Sequence, residues 1–144
     1  MITEDYVSFE VAKLLKEKGF DGECREFWKD WNGEIRLCSC NRAHIFDYCH
    51  NSMLERYNDT EETNIAAPTL QMAMKWLRKN YGIHITGVPN GIGENVFYMG
   101  IYRKYDYGWT YISDCLDEEY KEAEFYTPEE ACEAAIKYCL KNLI

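Results

Sequence analysis

The sequence predicts an α+β domain in which three amphipathic helices pack on an antiparallel sheet, in the order helix, hairpin, helix, three-stranded meander, helix. Three observations support this prediction: a capped amphipathic pattern near the end of the chain, an Asn-Gly dipeptide between two apolar runs, and strand-like segments over residues 83–113. Because 144 residues is a usual length for one domain, we expect residues 1–144 to form a single domain.

The first two helices are predicted from their ends. The first extends from about Ser8, a residue type that caps helices well, to Lys18, and Gly19 stops it. The second begins near Pro68, which suits a first helical turn, and ends before Gly82. Both segments repeat apolar residues at helical spacing, so each should bury one face.

The third helix has the clearest signals. Thr127 is a good N-cap, Pro128 suits the first helical position, and Glu130 completes a capping box. Its apolar stripe contains Cys132, Ala135, Ile136, Cys139, Leu140 and Leu143. We therefore expect the two cysteines of this stripe to be buried as small apolar residues.

Strand signals lie between the helices. The stretch "REFWKDWNGEIRLCS" predicts a hairpin that turns at Asn32 and Gly33. Three further strands are expected at about residues 83–88, 95–104 and 108–113, joined as an antiparallel meander. Residues 50–66 lack sustained periodicity and are predicted to be a long connection.

Composition limits the function classes. A formal net charge of −9 disfavours direct nucleic-acid binding, which depends on Lys and Arg, and favours basic partners. No apolar run approaches the ~20 residues needed to span a bilayer, and the chain opens with acidic residues rather than a basic leader. We therefore expect a cytoplasmic protein whose seven cysteines are reduced thiols and which needs no cofactor.

Three stretches carry a resemblance: "MITEDYVSFEVAKLLKEKGF", "APTLQMAMKWLRKNY" and "TPEEACEAAIKYCLKNLI". They resemble a group of small uncharacterised proteins encoded by gut Bacteroides-type bacteria and by their phages and prophages. The resemblance covers helical scaffold segments and implies a bacterial setting with mobile-element ancestry. It implies no activity and transfers no functional residue.

The stretch "LCSCNRAHIFDYCH" raises the question of a metal site. Cys38, Cys40, His44, Cys49 and His50 are all residue types that bind zinc, which takes four nitrogen or sulfur ligands in structural sites. Their spacing fits no standard zinc finger, so we expect free thiols and no bound metal. A metal- or thiol-dependent activity centred on residues 38–50 is the alternative.

Aromatic residues of the predicted meander suggest a binding surface. Alternation places Tyr98 and Tyr102 on one face of their strand, and Trp109 and Tyr111 on one face of the next strand. A short turn makes these strands neighbours, so the four rings should form a partly exposed patch. Tyrosine and tryptophan are enriched where protein interfaces have their strongest contacts.

An acidic segment follows the meander. Residues 114–130 contain eight carboxylates and one base, and Asp117, Glu118 and Glu119 are candidate binding residues. Together with the aromatic patch, they predict a small binding or accessory protein that contacts a basic protein partner or a second copy of itself. We assign no catalytic residue. An acidic mimic of nucleic acid is a further alternative.

Overall fold

The computed structural model of the protein describes residues 3–40, 47–91 and 95–144. The chain is α+β and separates into two compact units, Met1–Gln71 and Met72–Ile144, which we call the N-terminal and C-terminal units. Each unit contains one three-stranded antiparallel sheet. No helix within the described residues is long and apolar enough to cross a membrane.

The N-terminal unit has a sheet with strand order β2-β1-β3. Its elements are α1 (Phe9–Glu17), β1 (Glu26–Trp31), β2 (Glu34–Ser39), α2 (Asn51–Leu54), a single 3₁₀ turn (Glu55–Tyr57) and β3 (Glu62–Ala67). Asn32 and Gly33 both have positive φ, at 50° and 87°, as the tight turn between β1 and β2 requires. The predicted hairpin is therefore confirmed.

Helix α1 begins and ends where the sequence indicates. The Ser8 hydroxyl accepts a hydrogen bond from the backbone N–H of Val11 at 3.2 Å, and Gly19 takes a φ of 92° after the last turn. The helix packs against β3, and the Phe9 ring meets the Trp28 ring of β1 edge-on at 6.3 Å. This face of the sheet is part of the unit's core.

Two asparagine side chains cover the outer edge of β3. The Asn51 carbonyl accepts from the N–H of Ala66 at 2.9 Å, and the Asn58 carbonyl accepts from the N–H of Asn64 at 2.7 Å. The Asn51 amide also donates to the Phe20 carbonyl at 2.8 Å. Backbone donors that an edge strand would otherwise expose are thus occupied by side chains of the segment before it.

The C-terminal unit has a sheet with strand order β4-β5-β6. Its elements are α3 (Leu70–Tyr81, whose first two residues fall in the N-terminal unit), β4 (Ile83–Pro89), β5 (Phe97–Tyr105), β6 (Gly108–Tyr111), a 3₁₀ turn (Ser113–Cys115), α4 (Glu118–Lys121) and α5 (Pro128–Asn142). The three strands lie within two residues of their predicted bounds. The meander is confirmed.

Helix α5 packs on one face of this sheet, against β4 and β5. Thr127 caps it by accepting from the N–H of Glu130 at 3.1 Å, and Cys132 and Cys139 are buried as predicted. A side chain at Gly87 would place its Cβ 2.9 Å from Pro128, so only glycine permits the helix start to approach β4 this closely. The aromatic residues His84, Tyr102 and Tyr111 lie on the opposite face of the sheet.

Three features of the fold differ from the prediction: the number of sheets, the segment over residues 50–66, and the additional short helix α4. The expected single sheet is wrong, because each unit has its own sheet. The predicted connection over residues 50–66 instead contains α2 and β3. Sequence alternation misses β3 because Asn64, Ile65, Ala66 and Ala67 are all buried, on both faces of the strand, so polar and apolar residues do not alternate along it.

Candidate functional site

Four aromatic rings meet on the sheet face opposite α5. His84, Tyr102 and Tyr111 lie side by side on the three strands, since His84 pairs with Tyr102 and Tyr102 with Tyr111. Ring centroids are 5.9 Å apart for His84 and Tyr102, and 5.0 Å apart for Tyr102 and Tyr111. Trp109 closes the group, with its ring 6.0 Å from that of His84. We call these four residues the aromatic cluster.

The aromatic cluster is partly open to solvent. Trp109 is 46% exposed, and the other three rings are partly buried. The structure therefore brings together three of the four aromatic residues selected from the sequence and adds His84 to them. His84 alternates with the buried Ile83 and Ile85 along β4, and its contact with Trp109 depends on strand pairing that one strand alone does not show.

Tyr98, the fourth predicted aromatic residue, lies further along β5. Gly100 separates it from Tyr102 on the same strand face. The Tyr98 hydroxyl donates to a Glu124 carboxylate oxygen at 3.3 Å and lies 3.5 Å from the Asn90 amide nitrogen. Tyr98 thus reaches the acidic segment rather than the aromatic cluster.

A cavity of about 510 Å³ is lined both by a residue of the aromatic cluster and by residues of the acidic segment. We call it the acidic cavity. Its walls are formed by Val88, Tyr98, Met99, Tyr111, Ser113, Asp114, Lys121, Glu122 and Glu124. Tyr111 belongs both to this wall and to the aromatic cluster. Three carboxylates and one ammonium group face the same space, so its charged side chains are net negative.

The turn at Ser113 positions the acidic wall. The buried Ser113 hydroxyl accepts from the N–H of Ile101 at 2.8 Å, which holds the 3₁₀ turn against β5. Further along, the backbone of Phe125 pairs with that of Phe97 through hydrogen bonds of 2.7 Å and 2.9 Å. These two attachments fix the ends of the segment that carries Asp114, Glu122 and Glu124.

The acidic residues selected from the sequence are not those of the cavity. Asp117 is the N-cap residue of α4, Glu118 and Glu119 are in its first turn, and all three side chains are exposed outside the cavity wall. Asp114 and Glu124 were recognisable only as members of the same acidic run. Nothing in the sequence marks which of its carboxylates turn toward the sheet.

Two cysteines of the Cys/His stretch lie together in the interior of the N-terminal unit. Cys40 and Cys49 are buried with their sulfur atoms 2.6 Å apart, and both sulfurs lie within 3.7 Å of the Cys24 carbonyl oxygen. Cys24 is itself buried, and its backbone exchanges hydrogen bonds of 2.7 Å and 2.8 Å with Cys49. We call these three residues the thiol cluster.

The other members of the predicted metal set lie apart from this cluster. Cys38 is partly exposed on β2, and the His50 ring contacts the Ser52 hydroxyl at 2.7 Å and an Asp21 oxygen at 3.3 Å. His44 lies outside the described residues. Within those residues, no group of three or more His, Cys, Asp or Glu side chains has an arrangement that would hold a metal ion.

Burial keeps the thiol cluster protonated at neutral pH. It raises the pKa of Cys24 to about 12, with the neighbouring Cys40 adding to the effect. Burial also raises the pKa of Cys49, as do its hydrogen bond with Cys40 and the charges around it, and burial raises that of Cys40. A cysteine nucleophile needs the thiolate form, so these side chains do not resemble an activated catalytic cysteine.

Comparisons of this chain with protein-family models, with curated proteins and with solved structures give no match in any of the three.

Proposed function

We propose that the C-terminal unit is a protein-interaction module that binds an arginine- or lysine-bearing segment of a partner protein. The observation that supports this most directly is the acidic cavity, where three carboxylates and two tyrosines surround one space. The aromatic cluster extends the same surface through Tyr111 and supplies contact area beside the cavity.

Charge favours a basic occupant. Asp114, Glu122 and Glu124 line the cavity against the single cation Lys121, and the whole chain carries a formal net charge of −9. A guanidinium or ammonium group entering the cavity would donate charge-assisted hydrogen bonds to these carboxylates. An anionic occupant such as a phosphate would be repelled by the same groups.

The tyrosines favour the same occupant. Tyr98 and Tyr111 both line the cavity, and a cation that lies over a tyrosine face is attracted by the ring. The hydrocarbon part of an arginine or lysine side chain also packs well on an aromatic surface. Tyr98 already donates to Glu124, so its hydroxyl holds one of the acceptor carboxylates in place.

The aromatic cluster provides the second half of the contact. Trp109 is the most exposed of its rings and lies beside His84, so an apolar side chain next to the basic residue would cover it. Aromatic residues such as these are enriched at the centres of protein interfaces.

The resemblance of the helical segments to phage and prophage proteins suggests the setting. We place the protein in a bacterial cytoplasm, as a non-enzymatic accessory factor of a mobile element that contacts a basic host or element protein. A second copy of the chain as the partner, and mimicry of nucleic acid, are the two other outcomes that the experiments below distinguish.

Binding is tested with tetra-arginine and with tetra-citrulline, its uncharged counterpart of nearly the same shape. Isothermal titration calorimetry should show that tetra-arginine binds and tetra-citrulline does not. The affinity for tetra-arginine should fall as the salt concentration is raised. The Glu122→Gln, Glu124→Gln double variant should bind about tenfold more weakly, which corresponds to about 1.4 kcal/mol.

The matched control uses the same charge change on the same segment. Glu118→Gln with Glu119→Gln also removes two charges, but both side chains lie outside the cavity. It should change the affinity by less than about twofold. If both double variants weaken binding equally, the effect is general acidity, which favours nucleic-acid mimicry; if tetra-arginine does not bind at all, the proposal fails.

The aromatic cluster has its own test. With the partner segment represented by an Arg-Arg-Leu-Arg peptide, Trp109→Ala should weaken binding by about 2 kcal/mol, the scale of an interface hot spot. Tyr107→Ala is the control, since Tyr107 is 80% exposed in the β5-β6 turn and lies outside the cluster. If light scattering shows a dimer that only Trp109→Ala dissociates, the partner is a second copy of the chain.

A further inference from the structure

The thiol cluster of the N-terminal unit has no role in the proposed binding function. Its distinctive feature is the contact between the sulfur atoms of Cys40 and Cys49, at 2.6 Å. A disulfide bond is about 2.05 Å long, so a displacement of about half an ångström would bring these atoms to bonding distance. Both side chains are almost completely buried, at 1% and 0% exposure.

The backbone holds both cysteines in position. The N–H of Cys40 donates to the carbonyl of Arg25 at 2.9 Å, and Cys49 is paired with Cys24 through two hydrogen bonds. Because residues 24 and 25 are adjacent, one short stretch of chain fixes both partners. The contact therefore results from two defined backbone attachments close to β1.

We infer that Cys40 and Cys49 form a reversible disulfide site, which is oxidised by a low-molecular-weight disulfide such as oxidised glutathione. Oxidation would join the end of β2 to the segment that leads into α2 and close a loop of ten residues. The N-terminal unit would then respond to the thiol redox state of its surroundings.

The reaction proceeds by two exchange steps. The Cys40 thiolate attacks one sulfur of oxidised glutathione, which forms a mixed disulfide and releases one molecule of glutathione. The Cys49 sulfur, after losing its proton, attacks the Cys40 sulfur of that mixed disulfide and releases the second glutathione. Two S–H bonds and the glutathione S–S bond break, one protein S–S bond and two glutathione S–H bonds form, and two electrons pass to glutathione.

Burial sets the rate of this exchange. The thiolate is the reactive form, and burial raises the pKa of both thiols, so reaction requires a transient opening of the cluster. Exchange should therefore be slow in either direction and faster at alkaline pH. A slowly exchanging pair keeps its oxidation state when the surroundings change briefly.

A second pair of buried cysteines, on α5, provides a comparison for the Cys40 and Cys49 pair. Cys132 and Cys139 are also buried, but they lie seven residues apart on α5, and seven residues of helix span about 10.5 Å. Disulfides need Cα atoms within about 7 Å, so this pair is too far apart. Burial alone therefore does not identify two cysteines that can form a disulfide. The contact between the Cys40 and Cys49 sulfur atoms does.

Tryptic mapping tests the site directly. Trypsin cleaves after Lys18, Arg25, Arg36, Arg42 and Arg56, so Cys24 falls in peptide 19–25, Cys40 in peptide 37–42 and Cys49 in peptide 43–56. The full chain is equilibrated with reduced and oxidised glutathione, blocked with iodoacetamide in denaturant and digested. Peptides 37–42 and 43–56 should be recovered as a linked pair, at least about tenfold more abundant than any other linkage.

Variants identify the sulfur atoms, because peptide 37–42 also contains Cys38. The linkage should persist in Cys38→Ser and disappear in Cys40→Ser. In the unmodified chain, oxidation should also raise the thermal midpoint by about 10 °C, as expected for closure of a short loop. Linkage of 19–25 to 43–56, persistence of the linked pair in Cys40→Ser, or only free and glutathione-capped thiols at equilibrium would each overturn the inference.

Discussion

Replacing Asn51 with alanine removes a side chain that makes two hydrogen bonds inside the N-terminal unit. Asn51 is 5% exposed; it accepts from the N–H of Ala66 at 2.9 Å and donates to the carbonyl of Phe20 at 2.8 Å. It is therefore a link between the start of α2, the edge of β3 and the chain that follows α1. Alanine cannot reproduce either bond.

The expected loss follows from these contacts. Two intramolecular hydrogen bonds contribute about 0.5–1.5 kcal/mol each, and leaving a buried donor such as the Ala66 N–H unsatisfied costs about 1–3 kcal/mol. Because these contributions overlap, we predict that Asn51→Ala lowers the free energy of unfolding by about 2–4 kcal/mol. For a unit of this size, the thermal midpoint should fall by about 15 °C.

Asn58→Ala provides the comparison on the same strand edge. Asn58 accepts from the Asn64 backbone N–H at 2.7 Å, but it is only partly buried, so water can replace it. Its loss should cost about 1 kcal/mol. Urea unfolding gives both free energies, and hydrogen exchange of the Ala66 and Asn64 amides identifies which donor becomes exposed. Equal losses for the two variants, or unchanged protection of the Ala66 amide in Asn51→Ala, would show that the Asn51 side chain does not hold this edge of β3.

Three further predictions concern the C-terminal unit. Leu140→Ala should lower the free energy of unfolding by about 2–5 kcal/mol in urea unfolding, because Leu140 is fully buried; a loss below about 1 kcal/mol would contradict its place in the core. Gly87→Ala should cost about 1–3 kcal/mol by the same measurement, because its new Cβ would lie 2.9 Å from Pro128, whereas Gly91→Ala meets no atom within 4 Å and should be near neutral. Burial raises the pKa of Cys139 from 9.0 to about 12, so the stability that this thiol contributes is complete below pH 9.0 and is lost as the pH rises toward 12. Between pH 9.0 and about 12, the free energy of unfolding should therefore fall by about 1.4 kcal/mol more per pH unit in the native chain than in Cys139→Ala, and identical slopes over this range would exclude this origin.

Local signals in the sequence were sufficient for the elements that depend on a few neighbouring residues. Ser8 and Thr127 cap their helices, and the Asn32-Gly33 turn forms the hairpin, because each feature depends on side chains or φ angles within four positions. Alternation likewise located β4, β5 and β6, since one face of that sheet is buried by α5 and the other is partly open.

The division into two sheets was not predictable in the same way. Strand β3 is buried on both faces, and its outer edge is covered by asparagine side chains, so the preceding polar segment resembled a loop in the sequence. A strand whose edge donors are bound by side chains has no distinctive period. Only the folded chain shows that Asn51 and Asn58 serve this purpose.

The candidate sites depend even more on distant contacts. The acidic cavity forms because the segment after β6 returns to β5, where Phe125 pairs with Phe97, and this return selects Glu122 and Glu124 from the acidic run. The sequence prediction selected neighbouring residues of the same run. For the thiol cluster, it identified Cys40 and Cys49 but gave no reason to join them to Cys24.

We expect the acidic cavity, rather than the general negative charge of the chain, to bind a basic side chain. Chemical-shift mapping of the ¹⁵N-labelled full chain with tetra-arginine tests it most directly. With tetra-arginine, saturable shifts are expected for the amides of Tyr98, Tyr111, Asp114, Glu122 and Glu124, and no shifts are expected with tetra-citrulline. Shifts centred instead on residues 117–119, or spread over the acidic residues of both units, would contradict it.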